Sequence, residues 1–228
     1  MKYSWKSIQE GEKLYRQSRC SDAVGVMYEM GEHLDLAWNL KQVIKNQPAS
    51  VLDVGIGPMG IGLLWLYPFS PVKIGLDTLQ RMNVNTGNYY VDSLIKTIQK
   101  EIIFIQSNGE ELPFRDDSFN LVICNNVLDH SLFPKTIVNE LCRVTMKNGH
   151  LDIGVDTNSF LGFFVRWIDR RIRTHINAYR LHPRDIVIGT MDNILRKNGF
   201  LLLSHNKASV LGRIAGRRRM QWWVAVKD

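Results

Sequence analysis

Two periodicities alternate along this chain. From residue 50 to 155, short apolar runs of strand length recur between segments whose apolar residues return every three or four positions. Val51 to Val54, Val72 to Leu76, Ile102 to Gln106, Leu121 to Cys124 and His150 to Val155 read as strands. A helix starts at Ile61, and Val91 to Gln99 and residues 134–145 read as two more. Strands apolar on both faces, separated by helices, predict a parallel sheet with right-handed crossovers. Lys147-Asn148-Gly149 reads as the break between helix and strand, with Gly149 at the left-handed position. A helix over Ile186 to Lys197, closed by Asn198-Gly199, precedes Phe200 to Ser204 and Trp222 to Val226, which read as a hairpin pair. The expected fold is α/β and doubly wound: a mostly parallel seven-stranded sheet with its last strand antiparallel.

Val51-Leu52-Asp53-Val54-Gly55-Ile56-Gly57-Pro58-Met59-Gly60 carries the first chemistry. A buried strand breaks into three glycines, which permit positive φ and let a ligand lie against bare backbone. Gly55, Gly57 and Gly60 fit the dinucleotide spacing, and Asp77 follows about 20 residues on, where a ribose hydroxyl would be held. Asp53 separates two cofactors. A carboxylate at the strand end repels a pyrophosphate and suits the ammonium of S-adenosylmethionine, so a methyl donor is favoured over NAD. A tight turn with no ligand is the bland alternative.

Residues 1–47 contain no strand-like run. Ala23, Val24, Met27, Met30 and Leu34, then Leu36, Trp38, Leu40, Val43 and Ile44, recur at helical spacing, which predicts two or three helices capping the cofactor end. Residues 48–228 form the main domain, with Asp156 to His182 interrupting the pattern as a lid-like insertion, 156–185, after the fifth strand.

At 228 residues and 45% hydrophobic content the chain can bury one good core. Its apolar runs fall short of the ~18 residues of a membrane span, and no apolar leader follows the first basic residues. Cys20, Cys124 and Cys142 form no C-x-x-C pair, so disulfides and zinc are poorly supported and a reducing cytoplasm fits. The formal charge of +7 is lopsided: residues 1–150 hold 15 Lys and Arg against 16 Asp and Glu, residues 151–228 hold 14 against 6. The basic surface belongs to the last third and concerns a substrate, partner or anionic surface.

Four stretches in order, VLDVGIGPMG (51–60), KIGLDTL (73–79), SNGEELPFRDDSFNLVICNNVLDH (107–130) and NELCRVTMKNGHLDIGV (139–155), resemble the class I, Rossmann-like S-adenosylmethionine-dependent methyltransferases of small-molecule type. The resemblance covers about residues 29 to 204. It departs at Ile56, where Cys is frequent, and at Asn108, where many relatives carry Asp. It implies a cofactor pocket from Asp53, Gly55, Gly57, Gly60, Asp77, Thr78, Leu79, Asn108, Gly109, Glu110, Asn125 and Asn126, with Asp77 on the ribose hydroxyls and Asn108 to Glu110 at the adenine, where Leu112 would cover one ring face. Helix capping, a polar loop and turn capping are the respective bland alternatives. Asp116 to Phe119 reads as a turn, with Phe119 in the core.

Asp129 and His130 are the candidates for proton handling, since methylating a hydroxyl removes a proton and histidine titrates near the working pH. A histidine packed on its loop and bonded to Asp129 is the structural reading. His175, His182 and Trp167 are placed at the acceptor, and no metal motif is present. Within the insertion Leu161, Phe164, Ile168 and Ile172 share one helical face and Arg166, Arg170 and Arg173 another, with Phe160, Phe163 and Trp167 adding aromatic bulk. A substrate lid, peripheral contact with an anionic membrane through 160–173, and a solvated charged face compete, and Arg213, Arg217, Arg218 and Arg219 extend the patch or decorate a loop. The expected reaction is methyl transfer to a small-molecule or lipid-linked acceptor at oxygen or nitrogen. RNA methylation draws on the basic last third but lacks an Asn/Asp-Pro-Pro-aromatic motif, paired catalytic cysteines and an RNA-binding module; a non-catalytic S-adenosylmethionine-binding protein is the third reading.

Overall fold

The computed structural model describes residues 5–31, 34–158, 164, 167–168, 186–187, 190–206 and 219–228. Strands β1 (Ser50–Val54), β2 (Val72–Asp77), β3 (Ile103–Gln106), β4 (Phe119–Asn125), β5 (Thr145–Asn158), β7 (Phe200–His205) and β8 (Arg219–Lys227) form a sheet of order β3-β2-β1-β4-β5-β8-β7. Adjacent strands among β1 to β5 pair in parallel, and β8 runs antiparallel to both β5 and β7. The expected seven-stranded sheet is therefore present, joined by a two-residue strand β6 (Ile186–Val187) beside the end of β5.

Alternation along the strands divides the core. Leu52, Val54, Val122 and Cys124 face helix α5 (Pro134–Val144) through Ile137, Val138 and Leu141. Val51, Leu121 and Ile123 face the opposite layer, where α3 (Leu34–Val43) supplies Ala37 and Leu40 and α4 (Tyr89–Lys100) supplies Ile95. Helix α4 starts where Asn88 accepts the Tyr90 and Val91 amides at 3.1 and 3.2 Å, and α5 starts on Pro134. Each start satisfies or removes a donor that the first turn leaves over.

Helices α1 (Trp5–Arg19), α2 (Ala23–Gly31) and α3 precede the sheet. Among their described side chains Val26, Ala37 and Leu40 are buried, as is Ile44 just after α3, whereas Val24, Met27, Leu34 and Trp38 are exposed. Periodicity located the helices and caught part of their inward face, since Leu40 and Ile44 are buried and Met30 and Val43 pack on the core.

Three boundaries differ from the sequence reading. No helix begins at Ile61: the segment makes turns and one 3-10 turn, Leu64–Leu66. Gly60 and Gly62 take positive φ, 67° and 43°, and Pro68 follows, so too few residues remain to nucleate an α-helix. Ile186 and Val187 pair as a strand with Thr157 and Asn158, and helix α6 (Thr190–Lys197) is correspondingly shorter than expected. Strand β5 starts at Thr145, directly after α5, and Asn148 rather than Gly149 takes the left-handed conformation at φ 59°. Pairing with β4 jumps there from Phe119↔Thr145 to Leu121↔His150. Gly149 is still required: a Cβ would lie 2.7 Å from the Met146 carbonyl oxygen.

Candidate functional site

The strand order reverses direction in sequence between β1 and β4, and this is where an α/β sheet opens a crevice at its carboxyl ends. A cleft of about 760 Å³, including the open solvent at its mouth, lies there. Gly55 follows β1, Asp77 ends β2, Ser107 follows β3 and Asn126 follows β4; all four reach the cleft wall. Gln9, Glu12 and Arg16 of α1 form the facing side.

Asp77 organises the floor. Its Oδ2 accepts the Gly57 amide at 2.8 Å and its Oδ1 the Leu79 amide at 2.8 Å, tying the glycine turn to the end of β2. Burial pushes its pKa up, opposed by those two amides and by the Arg16 charge. No helix starts at Asp77, so the capping alternative does not apply. A carboxylate keeps lone pairs beyond the two engaged here and can accept further hydroxyls.

The glycines differ in role. At Gly55, φ 76°, an added Cβ would lie 2.1 Å from Val127 Cγ2; at Gly57, φ 79°, it would meet nothing within 4 Å. Gly57 therefore presents bare backbone to open space, the arrangement a ligand lying against the chain requires. Gly60 lines neither this cleft nor the cavity that adjoins it, and its missing Cβ makes room for Arg81.

A second cavity adjoins the first through Arg16, Gly55, Gly57, Pro58 and Asn126. Asp53 and Asn125 line it. Asp53 Oδ2 accepts the Leu63 amide at 2.9 Å, and burial carries its pKa up to about 7, with Asp152 and Asp77 adding to the rise. Asn125 donates through Nδ2 to Asp152 Oδ2 at 2.9 Å, while its Oδ1 is buried with no hydrogen-bond partner among the described residues. Asn126 holds φ 58°, turning the chain out of β4.

Thr78, Leu79, Gly109, Glu110 and His130 line the main cleft, and Glu110 Oε1 accepts the Ser131 hydroxyl at 3.0 Å. Asn108 is exposed and outside both cavities, and Leu112 is buried in the core, its amide donating to Glu140 at 2.8 Å. Asp129 is buried, 1% exposed, and lines neither cavity. Trp167 is 43% exposed and stacks on Phe164, ring centroids 5.9 Å apart; His175 and His182 lie outside the described residues, as do Arg166, Arg170 and Arg173. No cluster of three or more metal-binding side chains occurs among the described residues.

Sequence reasoning missed Glu12, Arg16, Glu29 and Asp152. Arg16 donates through Nε to Glu12 Oε1 at 3.0 Å and pairs through its NH1 group with Glu29, which also accepts from Arg19 Nε at 3.2 Å. Only the fold brings α1 to the cleft. Asp152 had a local signal: an acid inside an apolar strand, set at a position that pairs on both sides.

Residues 52–153 match the methyltransferase domain family. An uncharacterised protein of Methanocaldococcus jannaschii is 28% identical over 151 residues, 65% of this chain and 63% of that protein. The uncharacterised methyltransferase YcgJ of Bacillus subtilis is 28% identical over 151 residues, 64% of this chain and 58% of its own. The chain thus aligns with less than two thirds of either relative. The crystal structure of YcgJ superposes with a TM-score of 0.62 at 20% identity, covering 86% of this chain and 98% of that one. Geranyl diphosphate C-methyltransferase of Streptomyces coelicolor, solved with S-adenosyl-L-homocysteine, superposes with a TM-score of 0.64 at 12% identity, covering 90% and 83%. Residues 52–153 thus carry the sequence pattern of a methyltransferase domain, on the fold that these two solved structures share.

Proposed function

We propose that this chain transfers the methyl group of S-adenosylmethionine to a small-molecule or lipid-linked acceptor, at oxygen or nitrogen. The observation that carries the proposal is Asp77, a buried carboxylate at the end of β2 with both oxygens already fixed by the Gly57 and Leu79 amides, facing a cleft. Preorganised in this way it accepts ribose hydroxyls without reorganisation, through charge-assisted hydrogen bonds. Gly57 admits the cofactor to the backbone, Ser107, Gly109 and Glu110 border the adenine, and Asp53 with Asn125 and Asn126 takes the methionine end. An ammonium beside Asp53 returns its carboxyl to the charged form.

The cofactor supplies an electrophilic methyl carbon. The protein orients the acceptor in line with it, excludes water and removes the acceptor's proton, a task we give to His130 on the cleft wall. Helices α1 to α3 serve as the cap, and the insertion 156–185 serves as the acceptor-facing lid. A lipid-linked acceptor is favoured by Phe164, Trp167 and Ile168, which are 52%, 43% and 39% exposed.

Calorimetry with S-adenosylmethionine and S-adenosylhomocysteine, followed by an acceptor screen that reads S-adenosylhomocysteine release, tests the proposal. Micromolar binding of both with turnover of at least one acceptor is expected. Binding without turnover of any acceptor would favour a non-catalytic cofactor-binding protein, and binding of neither would sink the methyltransferase reading.

A further inference from the structure

Helix α1 carries an acid to the histidine that follows β4. Glu12 Oε2 lies 3.6 Å from His130 Nδ1, and both residues line the main cleft. The two side chains are partly buried, 18% and 17% exposed. Water therefore screens their interaction less than it would at an open surface. The other Glu12 oxygen is already committed, since Oε1 accepts Arg16 Nε at 3.0 Å. Arg16 is anchored in turn on Glu29 of α2. The carboxylate is thus held from behind, with one oxygen turned to the imidazole.

We propose that Glu12 is a positioning residue for His130: it selects the tautomer protonated at Nδ1 and makes Nε2 the basic nitrogen. Which imidazole nitrogen carries the proton is set by the group its partner nitrogen faces. The inference rests on the reading of His130 as the base. In the reaction the acceptor's lone pair forms the new bond to the methyl carbon of S-adenosylmethionine. The carbon–sulfur bond breaks with its electron pair going to sulfur, and the acceptor's proton passes to Nε2. S-adenosylhomocysteine, methylated acceptor and an imidazolium result, and the Glu12 carboxylate faces the positive charge that forms. At 3.6 Å the pair is longer than a hydrogen bond, and an Nδ1–H turned to the carboxylate closes it to one already in the free protein. The first helix of the chain thereby becomes part of the proton-transfer machinery rather than a cover alone.

The test needs neither cofactor nor acceptor. Protein labelled with nitrogen-15 at its six histidines gives long-range proton–nitrogen spectra that separate the protonated from the bare ring nitrogen. His130→Gln assigns the His130 signals. At a pH where the ring is neutral, wild type is expected to hold the Nδ1–H tautomer. Glu12→Ala is expected to move His130 toward the Nε2–H form with melting temperature and far-ultraviolet circular dichroism preserved, and Glu12→Gln, whose amide oxygen still accepts, to restore Nδ1–H. Glu12→Met replaces the alanine variant if that one does not fold. An unchanged tautomer in a folded Glu12→Ala or Glu12→Met protein overturns the proposal, as does an Nε2–H tautomer in wild type. Cofactor calorimetry fails or succeeds independently of this spectrum, so failure of the dyad and failure of the methyltransferase reading are told apart.

Discussion

Asp53 of β1 and Asp152 of β5 stand at one level of the sheet, each paired in register with Ile123 of the strand between them. Register fixes the face as well, so both carboxyls enter the same layer, and both are all but fully buried. Burial carries each to about 7, against an amide from Leu63 on Asp53 and the Asn125 side chain on Asp152. The folded protein therefore keeps protons that the unfolded chain releases near the ordinary carboxylate value.

Stability follows from that difference in bound protons. The contribution of each carboxyl is complete below about pH 4 and declines as pH rises toward the folded value, with a slope of roughly 1.4 kcal/mol per pH unit for each group. Asp152→Asn, which can still accept from Asn125, is expected to remove one such contribution. Urea unfolding at pH 5, 6 and 7 reads it as a flatter decline than in wild type; parallel slopes would mean that Asp152 does not titrate in this range.

Asp77→Ala removes both the anchor of the glycine turn and the acceptor proposed for the ribose. Calorimetry should find S-adenosylmethionine binding weaker by about 1.5–3 kcal/mol, the range of a hydrogen bond to a charged group. Affinity equal to wild type would move the ribose elsewhere.

Alanine at two neighbouring glycines should give opposite phenotypes. Gly55→Ala drives a Cβ into Val127 and is expected to cost fold stability, lowering the melting temperature well beyond the ~1–2 kcal/mol of a left-handed alanine. Gly57→Ala carries only that backbone cost and fills ligand space instead, so it should keep the fold and lose at least about tenfold in cofactor affinity. Equal melting temperatures for the two variants would contradict the assignment.

Lys227 near the end of β8 donates to the Cys142 and Thr145 carbonyls at 2.9 and 2.6 Å and to Asp117 at 2.8 Å. It places a cation at the carboxyl end of α5, where the helix carbonyls gather negative charge. Lys227→Met keeps the aliphatic stem and is expected to lower unfolding free energy by about 1–3 kcal/mol without changing cofactor affinity.

The exposed Phe164, Trp167 and Ile168 should decide between an open acceptor route and a lipid surface. Replacing Phe164 and Trp167 with serine is expected to reduce co-sedimentation with vesicles containing phosphatidylglycerol. Vesicles that never retain the wild-type protein would remove the lipid-linked acceptor.

The sheet was legible in the sequence because its strands are buried on both faces and so read as largely apolar runs, as Val51 to Val54, interrupted by Asp53, and Leu121 to Cys124 do. Asp77 and the glycines were legible because their chemistry is local: a turn, a bare backbone, a strand end. Glu12 was not. It sits in an otherwise ordinary polar helix, and its meaning comes from His130, more than a hundred residues away. Val24 and Trp38 misled because helical spacing identifies a stripe without saying which side meets the core. The run from Ile61 misled because apolar content outweighed Gly62 and Pro68, the two residues that decide the local conformation.

That single 3-10 turn after the glycines changes what the crevice discriminates. A full helix there would aim a row of free amides and a partial positive charge at the ligand, which is how dinucleotide sites hold a pyrophosphate. Here Asp53 claims the Leu63 amide, and a buried acid stands where a positive pole would be. A phosphate set against this turn would meet an acid in place of a row of free amides, whereas an ammonium would meet an acceptor, and it would bring that acid back to its charged form.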